Sequence, residues 1–82
     1  MTEIDYSDHA VEWLEKAEQE KRERIVKKVD SIQDFPEHYL TRLSGSPYYR
    51  LRVGKYRVII DWQQDNDRLF VREINHREGA YD

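Results

Sequence analysis

Ile25, Val29 and Ile32 stand at i, i+4 and i+7 within EKRERIVKKVDSIQDF, with Val26 alongside and charged residues between them. That spacing lines apolar side chains along one face of an α-helix, and the charged remainder reads as its solvated outer face. The helix is expected to run to Phe35-Pro36, because the residue before proline is pushed out of helical geometry. Upstream, Val11 and Leu14, with Ala10 or Ala17, mark a shorter helix, and Trp13 adds to that face or its rim. Ser7 followed by Asp8 reads as an N-cap with a first-turn acid. The break between the helices falls near Glu18 to Glu20. Before them, Glu3 to Tyr6 has the length of an edge strand.

PEHYLTRLSGSP reads as a loop with a short turn, punctuated by Gly45 and Pro47. The period then changes to two. YRLRV puts Leu51 and Val53 on one face and Arg50 and Arg52 on the other. YRVIIDW puts Tyr56, Val58, Ile60 and Trp62 on one face and Arg57, Ile59 and Asp61 on the other. Gly54-Lys55 between them fits a two-residue type II′ hairpin turn with glycine first. That turn sets Val53 opposite Tyr56, Arg52 opposite Arg57, and Leu51 opposite Val58. A polar QDND turn follows, then a third strand, RLFVREIN, and HREGAYD with room for one more short strand. The order β-α-α-β-β-β predicts an α+β domain over residues 1–82, with two N-terminal helices on one face of a mostly antiparallel sheet.

Composition narrows the function classes. At 82 residues the chain makes one small domain, which buries only about 60 % of its unfolded surface. It has no cysteine, hence no disulfide framework and no thiolate metal site, which suits a reducing compartment. No apolar run approaches the roughly 20 residues of a membrane span, and MTEIDYSDHA lacks a basic-then-apolar signal pattern. A cytoplasmic protein with no membrane contact is expected. The net charge of −3 hides an asymmetry: residues 1–41 carry 6 basic and 11 acidic side chains, residues 42–82 carry 8 and 6. The basic side chains of the second half are seven arginines and one lysine, and arginine's planar fork matches phosphate oxygens.

Arg50, Arg52 and Arg57 share one face, and no acidic residue lies between Arg42 and Ile60. Like charges opposite one another on adjacent strands are unfavourable. Either Asp61, Glu73 or Glu78 folds back to neutralise them, or an external polyanion such as RNA or DNA phosphate completes the site. In the tail, His76 has the side chain for proton transfer near neutrality, Arg77 suits phosphate, and Tyr81 suits base stacking. His9 and His38 read as ordinary polar residues. No metal-ligand spacing links the three histidines, and neither a metal nor a cofactor is expected.

The YRLRVG-YRVI hairpin after two helices, the RERIVKKV segment, the RLSG before the hairpin and the HRE…Y tail together resemble the RelE/ParE toxin superfamily, most closely its compact archaeal-type RelE members. The resemblance covers nearly the whole chain. It implies a type II toxin that acts as a ribosome-dependent endoribonuclease, cleaving mRNA in the ribosomal A site, inhibiting translation without a metal and held inactive by a cognate antitoxin. No DNA contact of its own is implied. The implied catalytic residues are Arg52, Arg57, His76, Arg77 and Tyr81; Arg42, Arg50, Lys55 and Tyr49 are implied RNA contacts. Some relatives carry lysines on the first hairpin strand, one of them proposed as general base. Here those positions are arginines, which stay protonated, so His76 or the ribosome is left to supply that role. Two alternatives remain: a ParE-like inhibitor of DNA gyrase, and a degenerate solitary relative that only binds protein or RNA.

Overall fold

The computed structural model describes residues 2–76. It contains β1 (Glu3–Tyr6), α1 (Asp8–Lys16), α2 (Gln19–Ser31), β2 (Thr41–Arg42), β3 (Tyr49–Val53), β4 (Tyr56–Gln63) and β5 (Arg68–His76). Short 3-10 turns occupy Pro36–His38 and Gln64–Asn66. The strands form one sheet in the order β1-β5-β4-β3-β2. β1 runs parallel to β5, and every other pairing is antiparallel. This is the expected α+β arrangement with one further strand, β2, which falls inside the stretch read as loop. Its two residues have no apolar alternation to announce them.

The Ser7 cap forms as the sequence implied: its hydroxyl accepts a hydrogen bond from the Ala10 amide at 3.1 Å and donates to the Arg72 carbonyl, tying the start of α1 to β5. Ala10 and Leu14 carry the buried face of α1. Val11, expected inward, is 41 % exposed, because the stripe through Ala10 and Leu14 leaves position 11 turned toward solvent. α2 ends at Ser31, four residues before Phe35. Ile32 nevertheless stays fully buried as the C-cap residue, so the i, i+7 spacing survives the earlier stop.

Ile25, Val29 and Ile32 pack with Ala10 and Leu14 against Leu51, Val53, Tyr56, Val58, Ile60, Leu69, Val71 and Ile74 of the sheet. The hairpin register is the one the turn demands: Val53 pairs with Tyr56, Arg52 with Arg57, Leu51 with Val58. Gly54 has φ +58°, and Lys55 is not among the positive-φ residues, as a type II′ turn requires.

The pairing of β4 with β5 slips once. Ile59 pairs with Glu73 but Ile60 pairs with Val71, leaving Arg72 as the extra residue of a bulge. Without it, Arg72 would face the core opposite Ile60 and Val71 would face out. The bulge puts Val71, with no exposure, into the core and frees Arg72 from the ladder.

Candidate nucleic-acid interface

Strand alternation decides which candidates meet. Arg50 pairs with Ile59, and Ile59 with Glu73; Arg52 pairs with Arg57, and Arg57 with Asn75. These residues form the face away from the helices, since their neighbours Leu51, Val58 and Ile74 belong to the core. Arg57 lies on β4, the middle strand of five, and is 8 % exposed. Arg52 and Lys55 are exposed and Arg50 is half-buried. The two described carboxylates nearest in register are engaged with amides: Gln63 donates to Asp61 at 3.0 Å, and Asn75 to Glu73 at 3.5 Å. Among the described residues, none forms an ion pair with Arg50 or Arg52.

Three candidates fall on the other face. His76 pairs with Tyr56, whose side chain is in the core. Its ring stands edge-on to Tyr56 at 5.1 Å, and Tyr56 stands edge-on to Trp13 of α1 at 5.3 Å. A cavity of about 380 Å³ there is lined by Trp13, Lys16, Ala17, Glu18, Lys21, Tyr56 and His76. The pKa of Lys21 is raised by its hydrogen bond with Glu18 and then by Tyr56. His76 is therefore not brought to the Arg52–Arg57 pair: Asn75 takes the place beside Arg57, and the next residue must point through the sheet. Tyr49 likewise packs against the core, edge-on to Trp62 at 5.3 Å. Arg42 pairs with Tyr49, its guanidinium 6.0 Å from that ring, and its Nε donates to the Ser46 carbonyl at 3.2 Å. Arg77 and Tyr81 lie outside the described residues.

Two further side chains, Tyr48 and Arg72, stand beside the arginines. Tyr48 continues the alternation of Arg50 and Arg52, and the Arg72 guanidinium lies 4.3 Å from its ring centroid. Arg72 Nε is buried with no hydrogen-bond partner. The signal was present in RLFVREIN: Leu69 and Val71 are two apart, but the next buried apolar residue, Ile74, comes three later. A gap of three in a period of two marks a bulge.

The face can therefore bind anions through fixed cations, and an aromatic ring is available beside them at Tyr48. Among the described residues no group of histidine, aspartate and glutamate has a metal-binding arrangement.

Comparison with known proteins bears on the family and the fold. The model of the ParE toxin of type II toxin–antitoxin systems matches residues 4–81. The chain belongs to that toxin family. Within the family it is similar to "Putative toxin RelE1" of Methanocaldococcus jannaschii, 44 % identical over 45 residues, covering 51 % of this chain and 48 % of that protein. The chain thus matches about half the length of this curated relative. Three solved structures share the fold. The intact E. coli RelBE toxin–antitoxin complex has a TM-score of 0.77 at 23 % identity, with both chains fully covered. The archaeal RelE–RelB complex from Pyrococcus horikoshii has a TM-score of 0.76 at 22 % identity, covering 96 % of this chain and 98 % of that one. The RelB–RelE complex from Methanococcus jannaschii has a TM-score of 0.71 at 25 % identity, covering 95 % of each. The RelE-like toxin fold, with two helices against a five-stranded and mostly antiparallel sheet, is common to all of them.

Proposed function

We propose that this chain is a RelE-type toxin that cuts messenger RNA on the ribosome and is silenced by a cognate antitoxin. The observation that carries the reading is the arginine face: Arg50, Arg52 and Arg57 stand together on the open side of the sheet, and no described carboxylate is ion-paired with Arg50 or Arg52. The ribose 2′-OH of the message attacks the adjacent phosphorus, forming the 2′-O–P bond as the P–O5′ bond breaks. The 2′-OH proton leaves to solvent or to the RNA partner, and the departing 5′-oxygen takes one up. The products are a 2′,3′-cyclic phosphate and a 5′-hydroxyl. Arg52 and Arg57 hold the phosphate and its growing negative charge, Arg50 and Lys55 meet the flanking backbone, and Tyr48 offers a stacking surface for a splayed base. Arg77 and Tyr81 complete the set by resemblance alone.

With His76 on the far face, the described proton acceptors left on the arginine face are the carboxylates of Asp61 and Glu73, which are hydrogen-bonded to Gln63 and Asn75. Alignment by the ribosome then carries much of the rate, and correct orientation is worth about 7–11 kcal/mol of barrier. Naked RNA should be cut poorly. The three solved relatives above are complexes with antitoxins, which supports an antitoxin that covers the basic face or its flank with acidic and apolar side chains.

A second reading has its own support, since the matching family model is that of the ParE toxin. By the resemblance, a ParE-like toxin blocks DNA gyrase instead. Programmed ribosomes with mapped message ends, run beside a gyrase supercoiling assay, separate the two. New 5′ ends, reduced about 10²–10³-fold by Arg57→Ala, are the expected result. Blocked supercoiling with no new ends at any protein concentration overturns the nuclease reading.

A further inference from the structure

Arg24, Lys27, Lys28 and Ser31 follow one another at i, i+3, i+4 and i+7 along α2, so they form a single stripe. They face Arg52, Val53 and Gly54 of the hairpin across a cavity of about 470 Å³. Arg24 lies directly over the turn: a Cβ on Gly54 would come 3.3 Å from its guanidinium. Four cations line this cleft and no carboxylate does.

A charged helical stripe is ordinarily a solvated surface, with acids one turn away to balance it. Glu20 and Glu23 stand in those positions for Arg24 and Lys27, yet neither pair forms. Glu23 accepts from Gln19 at 2.8 Å, Lys28 leans over the Tyr39 ring at 4.7 Å, and none of the four cleft cations is ion-paired among the described residues. Positive charge is concentrated here without internal compensation, on the half of the chain that is acidic overall.

We infer that this cleft is a second RNA site, which takes the phosphate backbone of a base-paired segment. It rests on the reading that the chain works on RNA. The arginine face, with Tyr48 at hand, suits an unpaired strand. The cleft has no aromatic ring in its lining, and Lys28 leans over the ring of Tyr39 beside it, so its lining presents charge rather than a stacking platform for an unpaired base. Backbone phosphates with their bases stacked away inside a duplex are the ligand such a lining recognises. From Arg24 to Ser31 the stripe runs about 10 Å, enough for neighbouring phosphates on one strand. Arg52 belongs to both surfaces, so RNA in the cleft would set the position of the strand entering the arginine face.

The test uses a blunt RNA duplex of roughly 16 base pairs, which presents no single strand to the arginine face. Its affinity for the full chain is measured by fluorescence anisotropy across a potassium chloride series. Each phosphate no longer neutralised by the protein should reduce the slope of log K against log salt by about 0.7–0.9. The Arg24→Ala/Lys27→Ala double variant changes two exposed helix positions to the best helix former, so the fold is retained. Its slope should fall by about 1.4–1.8. Lys16→Ala/Lys21→Ala removes the same charge elsewhere and should keep the wild-type slope. Equal slopes for the two double variants overturn the inference. So does unchanged duplex binding with loss of the copurifying antitoxin, which would assign the cleft to an acidic peptide. Because the duplex is not a cleavage substrate, the result is independent of the nuclease reading. A slope loss in a chain that cuts no message keeps the cleft and removes that reading, and message cleavage with equal slopes does the reverse.

Discussion

Removing the charge of Arg52 should make the domain more stable and the toxin weaker. Arg52 and Arg57 are direct cross-strand partners, Arg57 is 8 % exposed, and no described carboxylate is ion-paired with Arg52. Opposed like charges on neighbouring strands cost roughly 0.2–1 kcal/mol. Arg52→Gln removes one charge and keeps most of the aliphatic stem. In a domain of 60–100 residues, 1 kcal/mol moves the melting temperature by about 4–8 °C, so a rise of roughly 1–8 °C is expected at low ionic strength. The repulsion is screened by salt: the Debye length shrinks from about 30 Å at 0.01 M to about 3 Å at 1 M. Sodium chloride should therefore stabilise the wild type relative to the variant and largely close the gap. Thermal unfolding followed by circular dichroism at both ionic strengths measures this. In the same preparation, message cleavage on programmed ribosomes should fall at least about tenfold, short of the roughly 10²–10³ for a fully buried charge-stabilising contact. A variant less stable than wild type at low salt, with a gap indifferent to salt, would refute the reasoning, because Arg52 would then be held by a favourable partner.

Other consequences are equally direct. His76→Ala should change cleavage by less than about threefold, and wild-type turnover should show no break near pH 6.5, the ordinary histidine range; a large loss with such a break would return His76 to the chemistry. Burial, helped by Asp30, pushes the Tyr6 hydroxyl up to about 12, above its unfolded value near 10, so its contribution to stability is present below about pH 10 and lost as pH rises toward 12. Tyr6→Phe lacks that loss, and urea midpoints at about pH 8 and about pH 11 should fall further for the wild type than for the variant.

Much of the architecture was legible because each element writes its own period. The i, i+4, i+7 run of Ile25, Val29 and Ile32, the Ser7 cap and the Gly54-Lys55 turn are local signals, and the structure obeys each of them. The hairpin register followed because a two-residue turn leaves only one pairing. What escaped were features with no local period. β2 is two residues long, and its pairing with β3 is decided by the returning chain. Val11 was misplaced because a nine-residue helix offers too few apolar positions to choose between adjacent stripes.

The candidate site was legible within the hairpin and not across β5, and the reason is parity. A strand residue belongs to one face or the other according to whether its partner does. For Arg50, Arg52 and Arg57 the turn supplies the partner, so their common face follows from the sequence. For His76 the partner is set by the β4–β5 ladder, counted through a polar loop of unknown length and a bulge at Arg72 that shifts the count by one. The adjacency of His76 and Arg77 in the chain suggested a single catalytic cluster. Within β5 successive residues point to opposite faces, so Asn75 and His76 part there. With Asn75 opposite Arg57, His76 faces Trp13 and Tyr56 instead. What stays together is a set of cations suited to phosphate, with no histidine among them and with Asp61 and Glu73 as the described carboxylates on the same face. On the proposed reading, such a site depends on something else to hold the substrate in line, and RNA met off the ribosome should be cut poorly.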